Sequence, residues 1–288
     1  MSGTPLVHVL ALTFFAVSCV VLGDTAGKLA IEQGTHPYVV AWSRFAMAAL
    51  VLLAATGFAF PDRKMLGDVR VWLRALAIAG GISFILHALK TEAIADVYGA
   101  FFIGPVVSYI LAIAILRERP SALRNVLMAF GFVGVLLVVQ PGFGGGFGMV
   151  FALAAGGCYG VYLAVTRSVA GQYDPLKLLV SQLVIGAIVL APLGLSAPVP
   201  PLTLPVGLLL AGSALASGFG NYLLVRVNQN AEASLVAPLV YTQLITATLV
   251  SGWLFAEWPN AVAFAGLALI LFSGLGSLWG FYRTRPGG

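Results

Sequence analysis

The sequence predicts an all-α membrane protein with ten transmembrane helices, arranged as two inverted five-helix repeats. The first supporting observation is composition: of 288 residues, 60% are hydrophobic and only 9% are charged, and the mean hydropathy is +1.01. Soluble domains are about 25% charged, so this chain has too few solvating side chains for a soluble globule. The second observation is a series of long apolar runs, and the third is a pattern of residues that recurs at a fixed offset.

Ten apolar runs are long enough to cross a hydrocarbon core of about 30 Å, which requires about 20 helical residues. Transmembrane β-strands are only about ten residues long and alternate in polarity, so these runs predict helices. The short connections between them leave no room for a separate soluble domain. In order, the predicted spans are Val7–Ala30, Tyr38–Phe58, Val71–Leu89, Ala93–Leu116, Leu123–Val139, Gly148–Ser168, Pro175–Leu195, Leu204–Val227, Ala231–Ala256 and Ala261–Tyr282.

The runs divide into a first repeat over residues 1–139 and a second repeat over residues 148–288, joined by a Gly-rich segment at 140–147. The first run could instead be a secretory signal. However, no Lys or Arg precedes Lys28, and the apolar stretch is longer than that of a typical signal, so we expect a membrane span. Cys19 and Cys158 both lie inside spans, where we expect small packing residues rather than a disulfide or metal ligands.

The basic residues predict the orientation of the chain. Of the 15 Lys and Arg residues, Lys28 and Lys90 fall on one side of the membrane, Arg44 falls within a span, and all the others fall on the side of the termini. By the positive-inside rule both termini are then cytoplasmic, in a bacterial-type inner membrane. The basic pI of about 9.4 therefore reports topology, and we expect no nucleic-acid partner. The residues on the cytoplasmic side are Arg63, Lys64, Arg70, Arg74, Arg117, Arg119, Arg124, Arg167, Lys177, Arg226, Arg283 and Arg285.

The two halves repeat one pattern at an offset of 138 or 139 residues. Each half contains an odd number of spans, so the second copy enters the membrane from the opposite side. Inverted repeats are typical of secondary transporters, which alternate access by exchanging the conformations of the halves. The alternative is that helices rich in small residues resemble one another by chance. The aligned pairs are Pro37 with Pro175, Arg44 with Gln182, Gly80 with Gly218, Ser83 with Asn221, Phe84 with Tyr222, Glu118 with Glu257, and Pro120 with Pro259.

Further matched segments identify the repeat itself. The first copy continues from Lys28, Pro37 and Arg44 to the segment 93–96, Ala-Ile-Ala-Asp, then to Pro105 and a helix that ends in Arg-Glu-Arg at 117–119. The second copy carries Ala-Glu-Ala-Ser-Leu at 231–235, Ala-Pro-Leu at 237–239 and Phe-Ala-Glu-Trp at 255–258. These segments resemble the EamA-type repeat of the drug/metabolite transporter superfamily, over essentially the whole chain. The resemblance implies ten spans, a central cavity and export or exchange of small metabolites, with bacterial exporters of aromatic and other amino acids as the nearest functional analogy.

Two prolines predict where the substrate binds. Pro105 and Pro238 fall near the middle of the fourth and ninth spans, where each removes a backbone hydrogen bond and can kink its helix. Carrier sites lie near the midplane beside such breaks. Aromatic, hydroxyl and amide groups at helical spacing there suit a largely apolar ligand with one polar end, although the alternative is packing against lipid or neighbouring helices. The predicted substrate-binding residues are Ser83, His87, Tyr98, Phe102, Tyr109, Asn221, Tyr222, Tyr241 and Gln243.

Ionisable residues within spans are costly and therefore candidates for function. Asp24 and Lys28 stand four residues apart near the outer end of the first span, which predicts a snorkelling ion pair. Arg44 can join Asp24 or meet a substrate carboxylate, and these three residues are the candidates for ion coupling. His87 could carry a proton or bind a ligand. With the midplane expected to be almost free of charge, we predict a neutral or zwitterionic substrate rather than a phosphate.

These observations together predict a secondary transporter that works by alternating access, with export or exchange of amino acids as its function and aromatic ones favoured. One alternative is proton-coupled efflux of drugs or other lipophilic metabolites, and another is a membrane-embedded enzyme or lipid-handling scaffold. The sequence contains no Gly-x-x-x-x-Gly-Lys motif, metal-ligand cluster or Ser/His/Asp arrangement. We therefore expect no enzyme activity, no cofactor and no metal. The expected partners are the small-molecule substrate and the lipid bilayer, and the expected state is a monomer.

Overall fold

The computed structural model describes residues 6–57, 60–114, 122–140, 146–198, 201–230, 236 and 238–283, and every regular element in these ranges is helical. The all-α prediction is thereby confirmed. The first half contains α1 Leu6–Glu32, α2 Pro37–Ala55, α3 Arg63–Leu66, α4 Val69–Leu89, α5 Ile94–Phe101, α6 Ile103–Ala114 and α7 Ala122–Val139. The second half contains α8 Gly148–Ser168, α9 Pro175–Ser196, α10 Leu204–Asn230, a 3₁₀ turn Val240–Thr242, α11 Gln243–Phe255 and α12 Ala261–Arg283.

The described helices account for the ten predicted spans. Seven apolar helical segments are long enough to cross a membrane, with α5 and α6 together forming one of them, and three shorter apolar helices coincide with the fifth, ninth and tenth predicted spans. The predicted ends at Glu118 and Pro120, most of the 140–147 segment and the start of the ninth span lie outside the described residues. The outer end of the bundle is defined as the side on which α1 ends, and the inner end as the side on which α1 begins.

The matched prolines of the two halves have the same structural role. Pro37 and Pro175 lie in the first turn of α2 and α9, respectively. A backbone N–H at this position makes no hydrogen bond within the helix, so a proline, which lacks it, costs nothing there. Each helix is capped by the residue just before its proline. The His36 side chain accepts from the Tyr38 N–H, and the Asp174 carboxylate accepts from the N–H groups of the second and third helical residues. The proline match at this offset therefore marks two equivalent helix starts.

The fourth and ninth spans are both interrupted. The fourth is divided into α5 and α6 at Phe102, and Pro105 is the third residue of α6, where its nitrogen cannot donate to the preceding turn. In the ninth, Pro238 precedes the 3₁₀ turn, whose central residue is Tyr241. Phe102 and Tyr241 are repeat-related at the 139-residue offset, and their rings stack with centroids 4.6 Å apart. The two interruptions therefore meet where the repeats face each other.

Helix packing follows the inverted symmetry. Helix α1 packs along α10, and the repeat-related α8 packs along α4, while α2 packs on α9 and α7 on α12. Glycines lie at equivalent positions in the first two pairs, but only one of them is required: a Cβ on Gly220 would lie 2.5 Å from the Ala16 oxygen, whereas one on Gly81 would make ordinary contact at 3.4 Å from the Ala155 oxygen. The fold is thus two inverted five-helix repeats that surround a central space.

Candidate functional site

A cavity lies between the repeats, near the middle of the helices that line it. Residues from α1, α2, α4, α5, α8, α9, α10, the 3₁₀ turn and α11 contribute to its wall. The space free of protein atoms amounts to about 920 Å³ when its opening to solvent is included. Inverted-repeat carriers bind substrate at this depth and between the two repeats, so this cavity is the candidate substrate site.

A buried ion pair between Asp24 on α1 and Arg44 on α2 forms the centre of the cavity wall. Each side chain is 4% exposed. Arg44 donates through Nη1 to Asp24 Oδ1 and through Nη2 to Ser217 Oγ on α10, and the Tyr98 hydroxyl on α5 donates to Asp24 Oδ2 at 2.6 Å. The four side chains join both repeats in one network. Because the charges of the pair cancel, this wall is polar without carrying a net charge.

Two side chains of the cavity wall keep a buried polar atom that has no hydrogen-bond partner among the described residues. They are Arg44, through its Nε, and Gln182 on α9, through its Oε1. The two positions are equivalent in the repeats, as the 138-residue offset predicts. Buried polar groups are nearly always paired, so these two unpaired atoms in the cavity wall are exceptions that call for an explanation.

Many of the side chains that line the cavity are apolar. The predicted offset of 138 residues between α4 and α10 is wrong by one, because the helix contacts of Gly81 with Ala155 and of Gly220 with Ala16 match at 139. Asn221 is therefore equivalent to Ile82 and not to Ser83. At this offset Ile78, Ile82 and Ile85 on α4 correspond to Ser217, Asn221 and Leu224 on α10, and all six line the space. The rings of Phe101 on α5 and Tyr159 on α8 lie 4.8 Å apart beside the isoleucines. The cavity lining thus combines the polar network of Asp24, Arg44, Tyr98 and Ser217 with apolar and aromatic side chains, most of them from α4, α5 and α8.

The structure places only some of the predicted site residues in this cavity. Tyr98, Asn221, Gln243, Asp24 and Arg44 line it. The other predicted side chains do not appear in its wall; they are Ser83, His87, Phe102, Tyr109, Tyr222, Tyr241 and Lys28, together with Pro105 and Pro238.

His87 lies instead near the outer end of α4. Its Nδ1 is 2.7 Å from the backbone oxygen of Ser83. Its ring packs against His36, Tyr38 and Phe151, with ring centroids 4.6 to 5.9 Å apart. The Ser83 hydroxyl donates to the backbone oxygen of Ala79. Both polar groups are therefore engaged within the protein.

The remaining aromatic candidates occupy three other settings. Phe102 and Tyr241 stack on each other at the interrupted spans, with both rings buried. The Tyr109 hydroxyl donates to Asn125 Oδ1 on α7. Tyr222 is half-buried and packs against the core.

The predicted ion pair between Asp24 and Lys28 is wrong. Lys28 Nζ binds Glu257 Oε2 at 2.8 Å and the Glu92 backbone oxygen at 3.1 Å, near the outer end. Asp24 lies eight residues before the end of α1. At a rise of 1.5 Å per residue, it is about 12 Å deeper in the bundle than that helix end. There it is reached by Arg44 and Tyr98. The expectation of a nearly uncharged midplane is wrong for the same reason, since the Asp24–Arg44 pair lines the central cavity.

The sequence prediction missed several residues of the cavity wall, among them Phe45, Phe101, Tyr159, Gln182 and Ser217. The repeat offset could have identified Gln182, because it aligns with Arg44. It also relates Tyr159 to Val20, and both line the cavity. Composition gave no signal for the two phenylalanines, because helices exposed to lipid are apolar on every face.

Polar links join the repeats at both ends of the bundle. At the outer end, the Lys28–Glu257 pair connects α1 to the segment after α11. At the inner end, Arg70 binds Asp68 at 2.7 Å and Gln172 Oε1 at 2.8 Å, so the start of α4 is tied to the connection between α8 and α9. The hydrogen bond from Arg70 lowers the pKa of the Asp68 carboxyl to about 2. The stabilisation from this carboxylate is therefore present above its unfolded pKa of about 3.9 and is lost only as pH falls through about 2.

No group of three or more His, Cys, Asp or Glu residues in the described ranges could hold a metal ion. The polar groups of the cavity are an ion pair, hydroxyls and amides, which suit binding by hydrogen bonds and electrostatics. The arrangement can therefore hold a small molecule with a polar end and an apolar body.

Comparisons with known proteins agree with a transport role. The profile of the EamA-like transporter family matches residues 8–140 and 146–279, once in each half. An S-adenosylmethionine uptake transporter of Rickettsia prowazekii is 22% identical over 82% of this chain and 81% of its own length. A riboflavin transporter of Vibrio cholerae is 24% identical over 91% of this chain and 80% of its own length.

Similarity to a solved structure concerns the fold. One solved crystal structure superposes on this chain with a TM-score of 0.65 and 17% sequence identity. The match covers 96% of this chain and 99% of the other chain. At this identity the match shows a shared architecture over the full set of helices.

Proposed function

The chain belongs to the EamA-like transporter family, and from this premise we propose that it is a secondary carrier for a small aromatic metabolite, with export or exchange of aromatic amino acids favoured. The main support for the proposal is the lining of the cavity, which combines the Asp24–Arg44 pair with apolar and aromatic side chains. Alternating access would move the substrate past this pair. The family match and the apolar helices establish that the chain is a multi-pass membrane protein of a transporter family.

The chemistry of the cavity supports a substrate without net charge. A carboxylate beside a guanidinium complements a zwitterionic head group. The ammonium of such a head can bind the Asp24 carboxylate, and its carboxylate can bind the Arg44 guanidinium. The aromatic side chains of the cavity lining can stack on a planar ring. S-adenosylmethionine contains both an α-amino acid group and an adenine ring, and riboflavin contains a planar tricyclic ring. An aromatic ring is common to the substrates named for these relatives and to the aromatic amino acids.

The proposal is tested by flux into proteoliposomes of labelled phenylalanine, tyrosine, tryptophan, S-adenosylmethionine and riboflavin. We expect saturable flux of at least one of them. We expect Arg44→Lys to lower this flux about tenfold or more. The lysine ammonium keeps the charge beside Asp24, but it lacks the planar guanidinium that binds Asp24 and Ser217 at the same time. Arg63→Lys, on an exposed residue of α3, is the matched control and should transport normally. Absence of saturable flux of all five compounds would contradict the proposal.

Proton-coupled efflux is the second candidate, because one observation favours it. Asp24 is a carboxylate at mid-depth that binds both a cation and a phenolic hydroxyl. Carboxylates inside membrane spans are the groups from which proton relays of pumps and transporters are built. In the same liposomes an imposed pH gradient would then drive substrate accumulation, whereas a facilitated carrier or exchanger would only equilibrate the substrate.

The proposed setting is the bacterial-type cytoplasmic membrane, with the inner end of the bundle and both termini facing the cytoplasm. The asymmetry of basic residues supports this orientation. A monomer provides a complete cavity, since one chain supplies both repeats. The carrier role leaves no chemical step for the protein to catalyse, so we propose that it is not an enzyme.

A further inference from the structure

The two repeat-related residues Arg44 and Gln182 carry unpaired atoms of opposite hydrogen-bonding type. The Nε–H of Arg44 can only donate a hydrogen bond, and Oε1 of Gln182 can only accept one. Both side chains are 4% exposed, and both line the cavity. Each of these two atoms lacks a partner among the described residues. A ligand that satisfies both must therefore present an acceptor to α2 and a donor to α9.

The charge of the site restricts this ligand further. The guanidinium of Arg44 is already compensated by the carboxylate of Asp24. An arginine at position 182, as the repeat symmetry would allow, would add an uncompensated positive charge and favour anions. The neutral amide of Gln182 leaves the site balanced. The cavity therefore suits a polar head whose own charges sum to zero.

We propose that Gln182 is a specificity-determining residue, which acts with Arg44 Nε to recognise a net-neutral head that carries a hydrogen-bond acceptor beside an N–H donor. The inference rests on the proposed carrier function and names the chemistry of its substrate. Two kinds of head group share this chemistry. In an α-amino acid the carboxylate accepts and the ammonium donates, and in a cyclic imide, such as the edge of a flavin, a carbonyl accepts and the adjacent N–H donates.

Binding to the purified full-length protein in detergent separates these sources. The probes are phenylalanine, phenethylamine, which lacks the carboxylate, 3-phenylpropionate, which lacks the ammonium, and riboflavin, which carries an imide. We expect the wild type to bind phenylalanine or riboflavin at least tenfold more tightly than either truncated compound, because a missing group leaves a buried polar atom unpaired. The tighter of these two ligands identifies the head group.

Gln182→Leu removes the acceptor and keeps a similar volume. We expect it to weaken binding of the preferred ligand about tenfold and to leave 3-phenylpropionate unchanged, since that compound has no donor for Oε1. Gln182→Glu keeps an acceptor and adds a negative charge, and we expect it to bind phenethylamine about tenfold more tightly than the wild type. Gln33→Leu, in the exposed loop after α1, is the matched control and should bind all probes normally.

The outcomes separate this proposal from the proposed function. Wild-type binding of phenylalanine or riboflavin that is unchanged in Gln182→Leu would overturn the role of Gln182 and leave the carrier function standing. Should Gln182→Leu not fold, a Gln182→Glu protein with no gain for phenethylamine would overturn it equally. A wild type that neither binds any of the four probes nor transports the compounds in the flux assay would contradict the head-group chemistry and the carrier function together.

Discussion

At the scale of single residues, the central cavity depends on how Asp24 is held. A buried carboxylate is tolerated only where hydrogen bonds and an opposite charge compensate its lost hydration. Arg44 supplies the charge, and the hydroxyl of Tyr98 supplies a further donor at 2.6 Å. Tyr98 is therefore a positioning residue for the ion pair as well as part of the cavity wall.

Tyr98→Phe removes only the hydroxyl and keeps the ring. We expect the free energy of unfolding in detergent to fall by about 1–3 kcal/mol, because Asp24 Oδ2 loses its buried donor, and we expect the flux of the preferred substrate to fall as well. His87→Gln is the comparison: His87 bonds within its own helix and lies outside the cavity wall, so flux should stay near wild type. Wild-type stability in Tyr98→Phe, or a loss of flux confined to His87→Gln, would contradict this assignment.

At the scale of helices, glycine positions determine how closely the repeats pack. Gly220 lets α10 contact the backbone of α1, and the equivalent Gly81 lets α4 contact α8 with more room. The Phe102–Tyr241 stack joins the two interrupted spans behind the cavity. Repeat-related glycines therefore sit at two helix crossings, and repeat-related aromatics meet at the breaks.

Gly220→Ala and Gly81→Ala provide a matched pair of changes. An alanine Cβ at position 220 would lie 2.5 Å from the Ala16 oxygen, so α1 and α10 must separate, whereas one at position 81 would make ordinary contact at 3.4 Å. We expect Gly220→Ala to lower the free energy of unfolding by about 1–3 kcal/mol and Gly81→Ala to change it little. Thermal unfolding in detergent measures both. Equal stability of the two variants would show that α1 and α10 pack less closely than described.

The helices were predictable from the sequence because spanning a membrane requires long apolar runs, and the inverted arrangement followed from the repeat offset. The interrupted spans were accessible too, since Pro105 and Pro238 mark them. The cavity wall was only partly predictable. Tyr98, Asn221 and Gln243 were found, but the rotation of a helix that is apolar on all sides cannot be deduced from its composition. The partner of Asp24 was uncertain because a nearby Lys28 and a distant Arg44 were both plausible until the depth of each helix was known.

In the molecule as a whole, polar contacts join the two repeats at both ends of the bundle, and the central cavity lies between these contacts. The Lys28–Glu257 pair lies at the outer end, and the Arg70, Asp68 and Gln172 contacts lie at the inner end. Alternating access requires that these two links open at different times. The proposed carrier function therefore requires that one cavity is exposed to the two sides of the membrane in turn.

Cysteine accessibility in sealed vesicles tests this claim most directly. Ile82→Cys on α4 and Asn221→Cys on α10, at equivalent positions that both line the cavity, are made after Cys19 and Cys158 are replaced by serine. Phe219→Cys on the exposed face of α10 is the control. We predict that a membrane-impermeant maleimide labels both cavity positions from either side, that the transported substrate slows labelling, and that the control does not label. Labelling of both cavity positions from one side only, with or without substrate, would contradict alternating access.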